Sequence, residues 1–233
     1  MDMNLNRTGR VGALCWVAAA PIFLIASLVT GLRWREPTYS WAIQNISDLG
    51  NAHCGMWDSS RLRYVCSPWH PLMNAATLAT ALLLAAGLLL TWRILGRGAV
   101  VRSAQTLLLL ATGGYALAAL YPADVDENLH VLGAFLIMGL GNVGLLLAGF
   151  APGTTTLGRW RRITLTAGLV ALVGTVLFFA QQGVGIGVGG MERVAVLPFP
   201  LWACCLGVLL AETATNRARS PNPTHHDSMI DGR

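Results

Sequence analysis

The sequence contains no lysine: all 16 basic residues are arginine, set against 11 acidic residues. Charged residues make up only 12% of the chain, where a soluble domain carries about a quarter. With 54% hydrophobic residues and a mean hydropathy of +0.55, this scarcity excludes an ordinary soluble globule and points to an integral membrane protein. The net charge of +5 does not indicate nucleic acid, because no basic run is interleaved with a soluble fold. Arginines at cytoplasmic helix ends give membrane proteins the same excess. Compact chemical signatures are missing too: there is no HExxH zinc motif and no CxxC redox motif. The glycine-rich segment 183–190, GVGIGVGG, lacks the spacing and βαβ context of a dinucleotide site. It is expected to be a flexible outer turn whose backbone can approach a lipid headgroup. No repeat of fixed period is present.

What the chain does have is six apolar runs, at 11–31, 71–92, 103–121, 130–150, 163–182 and 194–211. Each is close to the ~20 residues that cross a bilayer core. The first exceeds the ~7–15 residues of a signal-peptide core, so it reads as a retained helix. The expected fold class is all-α, a six-helix transmembrane bundle. Residues 1–10 form a cytoplasmic head, 11–213 the membrane domain, and 214–233 a disordered cytoplasmic tail in which His225 and His226 are solvated. Arginine placement orients the bundle. Eleven arginines (7, 10, 93, 97, 102, 159, 161, 162, 217, 219 and 233) fall on one side and five (33, 35, 61, 63 and 193) on the other. The excess faces the cytoplasm, which puts both termini inside a cell membrane and the loop 32–69 outside.

Within that loop, residues 41–70 are polar and aromatic and hold Cys54 and Cys66. On the outer side disulfides are permitted, and these two are expected to bond and pin the loop. Cys15, Cys204 and Cys205 sit inside apolar spans as small buried residues. Ile43, Ile46 and Leu49 recur every three residues, so a short amphipathic helix can turn them inward and fold the loop down as a lid, with Asp48 beside the histidines. Ser67 and Pro68 suit the N-cap and first position of the second span.

Polar groups concentrate at the outer ends of the spans. His70, Asn74 and Thr77 share one face of the second span. Asp126 and Glu127 stand just before His130 at the head of the fourth. Asp48, His70, Asp126, Glu127 and His130 are therefore candidate acids and bases, since a carboxyl in an apolar pocket can serve as a proton donor. Trp41, Trp57, Trp69, Asn74 and Arg193 are candidate substrate contacts; the tryptophans can stabilise carbocations. Structural alternatives stand beside each. Asp124 to Glu127 has the D-x-x-E pattern of a capping box, the tryptophans suit an interfacial belt, and Asn74 and Asn142 suit interhelical bonds. Zinc could be held by His70 and His130 with Asp48 or Asp126, though no close-spaced ligand motif supports it. Pro198 and Pro200 must kink or break the sixth span, leaving carbonyls in need of partners.

The segments ISDLGN (46–51), CG (54–55), VCSPWHPLMN (65–74) and PAD-x-x-EN-x-H (122–130) resemble the prokaryotic membrane family known as domain of unknown function nine-nine-eight. The likeness runs over about residues 10–213 and implies a bundle of about six helices in a membrane. It implies no reaction. Two functions remain open: an intramembrane acid–base enzyme that hydrolyses or cyclises a lipid or isoprenoid at the outer face, and a lipid-binding or accessory subunit. An ion-coupled transporter is less favoured, because the middles of the spans hold only Tyr115, Asn142 and threonines.

Overall fold

The structure, a computed structural model, describes residues 6–57 and 61–219. Asp58 and the tail histidines lie outside the described residues. Six helical segments are long and apolar enough to cross a membrane. α1 is Arg7–Arg33, α2 His70–Leu95 and α3 Ala99–Leu120. α4 is the span Glu127–Ala148. A short turn, α5 (Thr156–Arg159), leads into α6, Arg161–Phe179. The last span, Val188–Thr213, is broken into α7 (Val188–Val196) and α8 (Pro198–Arg219). The chain is thus a multi-pass membrane bundle of the expected class. α8 continues to Arg219, past the expected end of the membrane domain.

Helix ends depart from the sequence expectation where caps decide. α1 starts one turn early because the Asn6 side chain accepts the Gly9 N–H at 2.9 Å. α2 begins at His70 with Trp69 as N-cap. Ser67, expected to cap it, instead donates its hydroxyl to Leu49 O at 2.7 Å. α4 is capped by Asp126, whose side chain accepts the Leu129 N–H at 3.0 Å. The capping residue is therefore Asp126 and not Asp124.

Close helix approach builds the core. A Cβ on Gly87 of α2 would lie 2.1 Å from Trp16 Cδ1 of α1, so only glycine admits the indole there. Trp16 is fully buried and donates its N–H to Leu84 O at 3.2 Å. Around this core the outward faces of the spans remain apolar, as at Ile25, Leu82 and Val173, which suits contact with lipid chains.

The break in the last span is satisfied from two other helices. Pro200 has no N–H for Val196 O, and Tyr115 of α3 donates its hydroxyl to that carbonyl at 2.7 Å. The amide of Asn142, fully buried in α4, donates to Ala195 O and to Thr175 Oγ1, both at 2.9 Å. Asn142 follows a π-helical stretch, Phe135–Gly141, in the middle of α4. Such stretches are often found at functional sites.

Candidate functional site

The segment between α1 and α2 forms a clasped lid. β1 (Gly55–Trp57) and β2 (Arg63–Val65) pair antiparallel with Gly55 opposite Val65. The Cys54–Cys66 disulfide closes the next position. Ser47–Gly50 forms a short 3-10 turn packed against α1 and α2. Ile46 and Leu49 point inward, but Ile43 is 55% exposed. The expected amphipathic helix is replaced by a tight turn, because side chains from elsewhere bind its backbone groups.

Those bonds, and others to the rest of the lid, come from four residues. Glu192 of α7 accepts the Ile46 N–H with one carboxylate oxygen, which also faces the Ser47 N–H at 3.5 Å. Arg193 donates to Trp41 O (3.0 Å) and Gln44 O (3.1 Å) and lies over the Trp41 ring at 5.1 Å. Asp124 accepts the N–H groups of Ala52 (3.1 Å) and His53 (2.6 Å). Asn74 donates to Gly50 O at 2.9 Å. The glycines of 183–190 serve the same clasp. A Cβ on Gly187 would lie 2.2 Å from Ala42 O, and one on Gly189 2.2 Å from Gln44 O, while Gly189 N–H donates to Ala42 O at 3.0 Å. The segment expected to be a free turn near lipid is the seat of the lid, and Val188–Gly190 already belong to α7.

Tyr39 completes the clasp. Its hydroxyl donates to Asn45 O at 2.8 Å and accepts from Arg193. Burial pushes the phenol above its ordinary range, against the lowering pull of Arg193. The group therefore keeps its proton and can donate and accept at once.

The candidate residues separate by what they touch. Asp48 is buried at 2% exposure and bound at both oxygens by Arg63, with distances of 2.7 Å and 2.7 Å, while accepting the Asn45 N–H at 2.8 Å. Asp126 caps α4. His70 directs Nδ1 at Ser67 O, 3.0 Å away. Trp69 lies under the Arg33 guanidinium at 5.0 Å. Trp41 and Arg193 hold the lid. Asn74, Trp57, Glu127 and His130 line a cleft beneath the lid. Sequence reasoning did not select Glu192 as a site residue. Its signal was an acid beside an arginine at the head of the one span broken by prolines.

The cleft has two adjoining parts that share Ser47, His130, Ala134, Met138 and Glu192. The inner part, about 60 Å³, runs between Phe23, Asn74, Tyr115 and Ile137. The outer part, about 680 Å³, passes Glu127 and Arg63 and reaches Phe135 of α4 with Phe178 and Phe179 of α6. Phe135 and Phe179 are 54% and 60% exposed, so the cleft opens between α4 and α6 on an apolar flank. His130 directs Nδ1 at Tyr121 O, 3.0 Å away. As the acceptor is a carbonyl, Nδ1 carries the proton of the neutral ring and Nε2 keeps its lone pair. The second Glu192 oxygen has no partner among the described residues. Among the described residues, no three His, Cys, Asp or Glu side chains are grouped so as to hold a metal ion.

The family described as protein of unknown function (DUF998) matches residues 17–209. The chain belongs to that family. No curated protein and no solved structure matches it. The match spans the bundle and the lid together, and the reading of the cleft rests on its own geometry.

Proposed function

We propose that this member of the DUF998 family takes up a membrane lipid or isoprenoid through the opening between α4 and α6 and binds its polar end beside His130, Glu127 and Glu192. The observation that carries this reading is the composition of the outer part of the cleft. Its mouth is phenylalanine on a lipid-facing flank and its floor holds ionisable groups. Amphiphiles match that gradient, and ionisable groups inside a membrane bundle mark sites of function. By the arginine distribution the termini are cytoplasmic, so the lid and cleft face the outer side of a cell membrane.

Acid–base chemistry on the bound lipid is the second reading, favoured by the His130 tautomer. A fixed Nδ1–H leaves Nε2 as a base in the cleft, with the carboxyl of Glu127 as the complementary acid. Hydrolysis and proton-initiated cyclisation both need such a pair. Non-enzymatic lipid binding needs only the cleft. Photo-crosslinking with a diazirine-bearing lipid tests uptake: adducts should map to α4 and α6 around Phe135 and Phe179. Adducts spread evenly over the lipid-exposed faces would contradict it. Conversion of the bound lipid by the purified protein, lost in His130→Ala, would select the enzyme.

A further inference from the structure

We infer that the head of the bound amphiphile is a hydrogen-bond donor without negative charge, a hydroxyl or an ammonium, seated against the free oxygen of Glu192 and Nε2 of His130. This rests on the uptake reading above and specifies the ligand. Two of the polar groups that line the cleft are acceptors. One Glu192 oxygen is spent on backbone N–H groups of the lid and the other has no partner among the described residues. Glu192 is 3% exposed as a residue, and it lines both parts of the cleft. His130 Nε2 is a second acceptor, because its other nitrogen holds the proton against Tyr121 O. Glu127 is a further acid on the outer wall.

The cations nearby are already committed. Arg63, which reaches the outer wall, grips both oxygens of Asp48. Arg193 spends Nη1 on the carbonyls of Trp41, Gln44 and Gly189 and Nη2 on Tyr39. A phosphate head would therefore meet carboxylates and a lone pair, in an apolar setting where like charges repel strongly. A hydroxyl gives its proton to Glu192 or His130. An ammonium does the same and also balances the carboxylate charge.

Three diazirine-bearing lipids of equal chain length separate the alternatives: a long-chain alcohol, a long-chain amine and a phosphatidic acid, each reconstituted with the full-length protein. The inference predicts that the alcohol or the amine labels the cleft, and that phosphatidic acid labels it roughly tenfold less. The preferred lipid should lose roughly tenfold in labelling in Glu192→Leu or in His130→Phe, while phosphatidic acid labelling does not fall. Glu192→Gln keeps an acceptor for the lid and serves if Glu192→Leu does not fold. It should keep labelling by the alcohol and lose labelling by the amine. Preferred labelling by phosphatidic acid, or equal labelling by all three, overturns the inference and leaves uptake standing. Labelling by none overturns both.

Discussion

The carboxylate of Glu192 accepts the backbone N–H of Ile46, a residue 146 positions earlier in the chain. This bond joins the head of the broken last span to the lid, and the cleft lies directly beneath it. Replacing Glu192 with alanine removes the acceptor from two backbone N–H groups and should destabilise the protein by about 1–3 kcal/mol. Thermal melting in detergent, compared with Glu192→Gln, measures it. A melting temperature unchanged in the alanine variant would show that the lid is held without Glu192.

Asp48 and Arg63 form a buried pair, with side chains 2% and 4% exposed. Removing one partner strands the other charge, which costs about 3–5 kcal/mol. Asp48→Asn should therefore lower yield and melting temperature together with any lipid binding. Full stability with selective loss of lipid binding would instead assign Asp48 to the site.

The Cys54–Cys66 bond closes the lid hairpin, and a loop of this size is worth about 3 kcal/mol in the chain-entropy model. Peptide mapping without reductant should recover the linked pair, and Cys54→Ser should lower the melting temperature by several degrees. Free thiols at both positions in unreduced protein would contradict the lid as described.

Tyr115 takes the carbonyl released by Pro200. Tyr115→Phe should destabilise by about 1–2 kcal/mol, the scale of a buried acceptor left alone. A double variant with Pro200→Ala should recover part of that loss, because alanine restores an N–H for Val196 O. Chemical denaturation of the four proteins gives the coupling energy. Strictly additive effects would mean that the two residues do not act on one carbonyl.

Much of the fold was legible in the chain, for a physical reason. Spans of about 20 apolar residues have few alternatives in a membrane, so all six could be read from composition. The need of the prolines for replacement donors was legible as well. The identity of the donors was not, because Tyr115 and Asn142 reach the break only after α3, α4 and α7 pack together. The lid shows the opposite balance. Its cysteine pairing could be read, but Asp48, Asp124, Glu192 and Arg193 find partners up to 154 positions away. No periodicity encodes those contacts. Ionisable residues gathered at the outer ends of the spans suggested a catalytic set; of these, Asp48, Asp126 and His70 each meet a local backbone group or counter-ion, while Glu127 and His130 line the cleft. Glu192, whose neighbours in sequence are glycine, methionine and arginine, retains an oxygen for the cleft.

Orientation has a direct check. Reporter fusions after Arg97 and after Arg159 should be active only as cytoplasmic reporters, and a fusion within the lid only as an exported one. The reverse pattern would place the cleft on the inner side.

The most direct test of the account is the lipid content of the purified protein. Ala134 lines both parts of the cleft, and Ala134→Phe would fill it from α4. Native mass spectrometry should find a bound lipid on the wild-type protein, displaced about tenfold more readily (about 1.4 kcal/mol) in Ala134→Phe. The same enlargement at Leu82, which is 63% exposed on the outward face of α2, should leave it in place. Equal retention by all three proteins, or no lipid on the wild type, would contradict a lipid-binding cleft between α4 and α6.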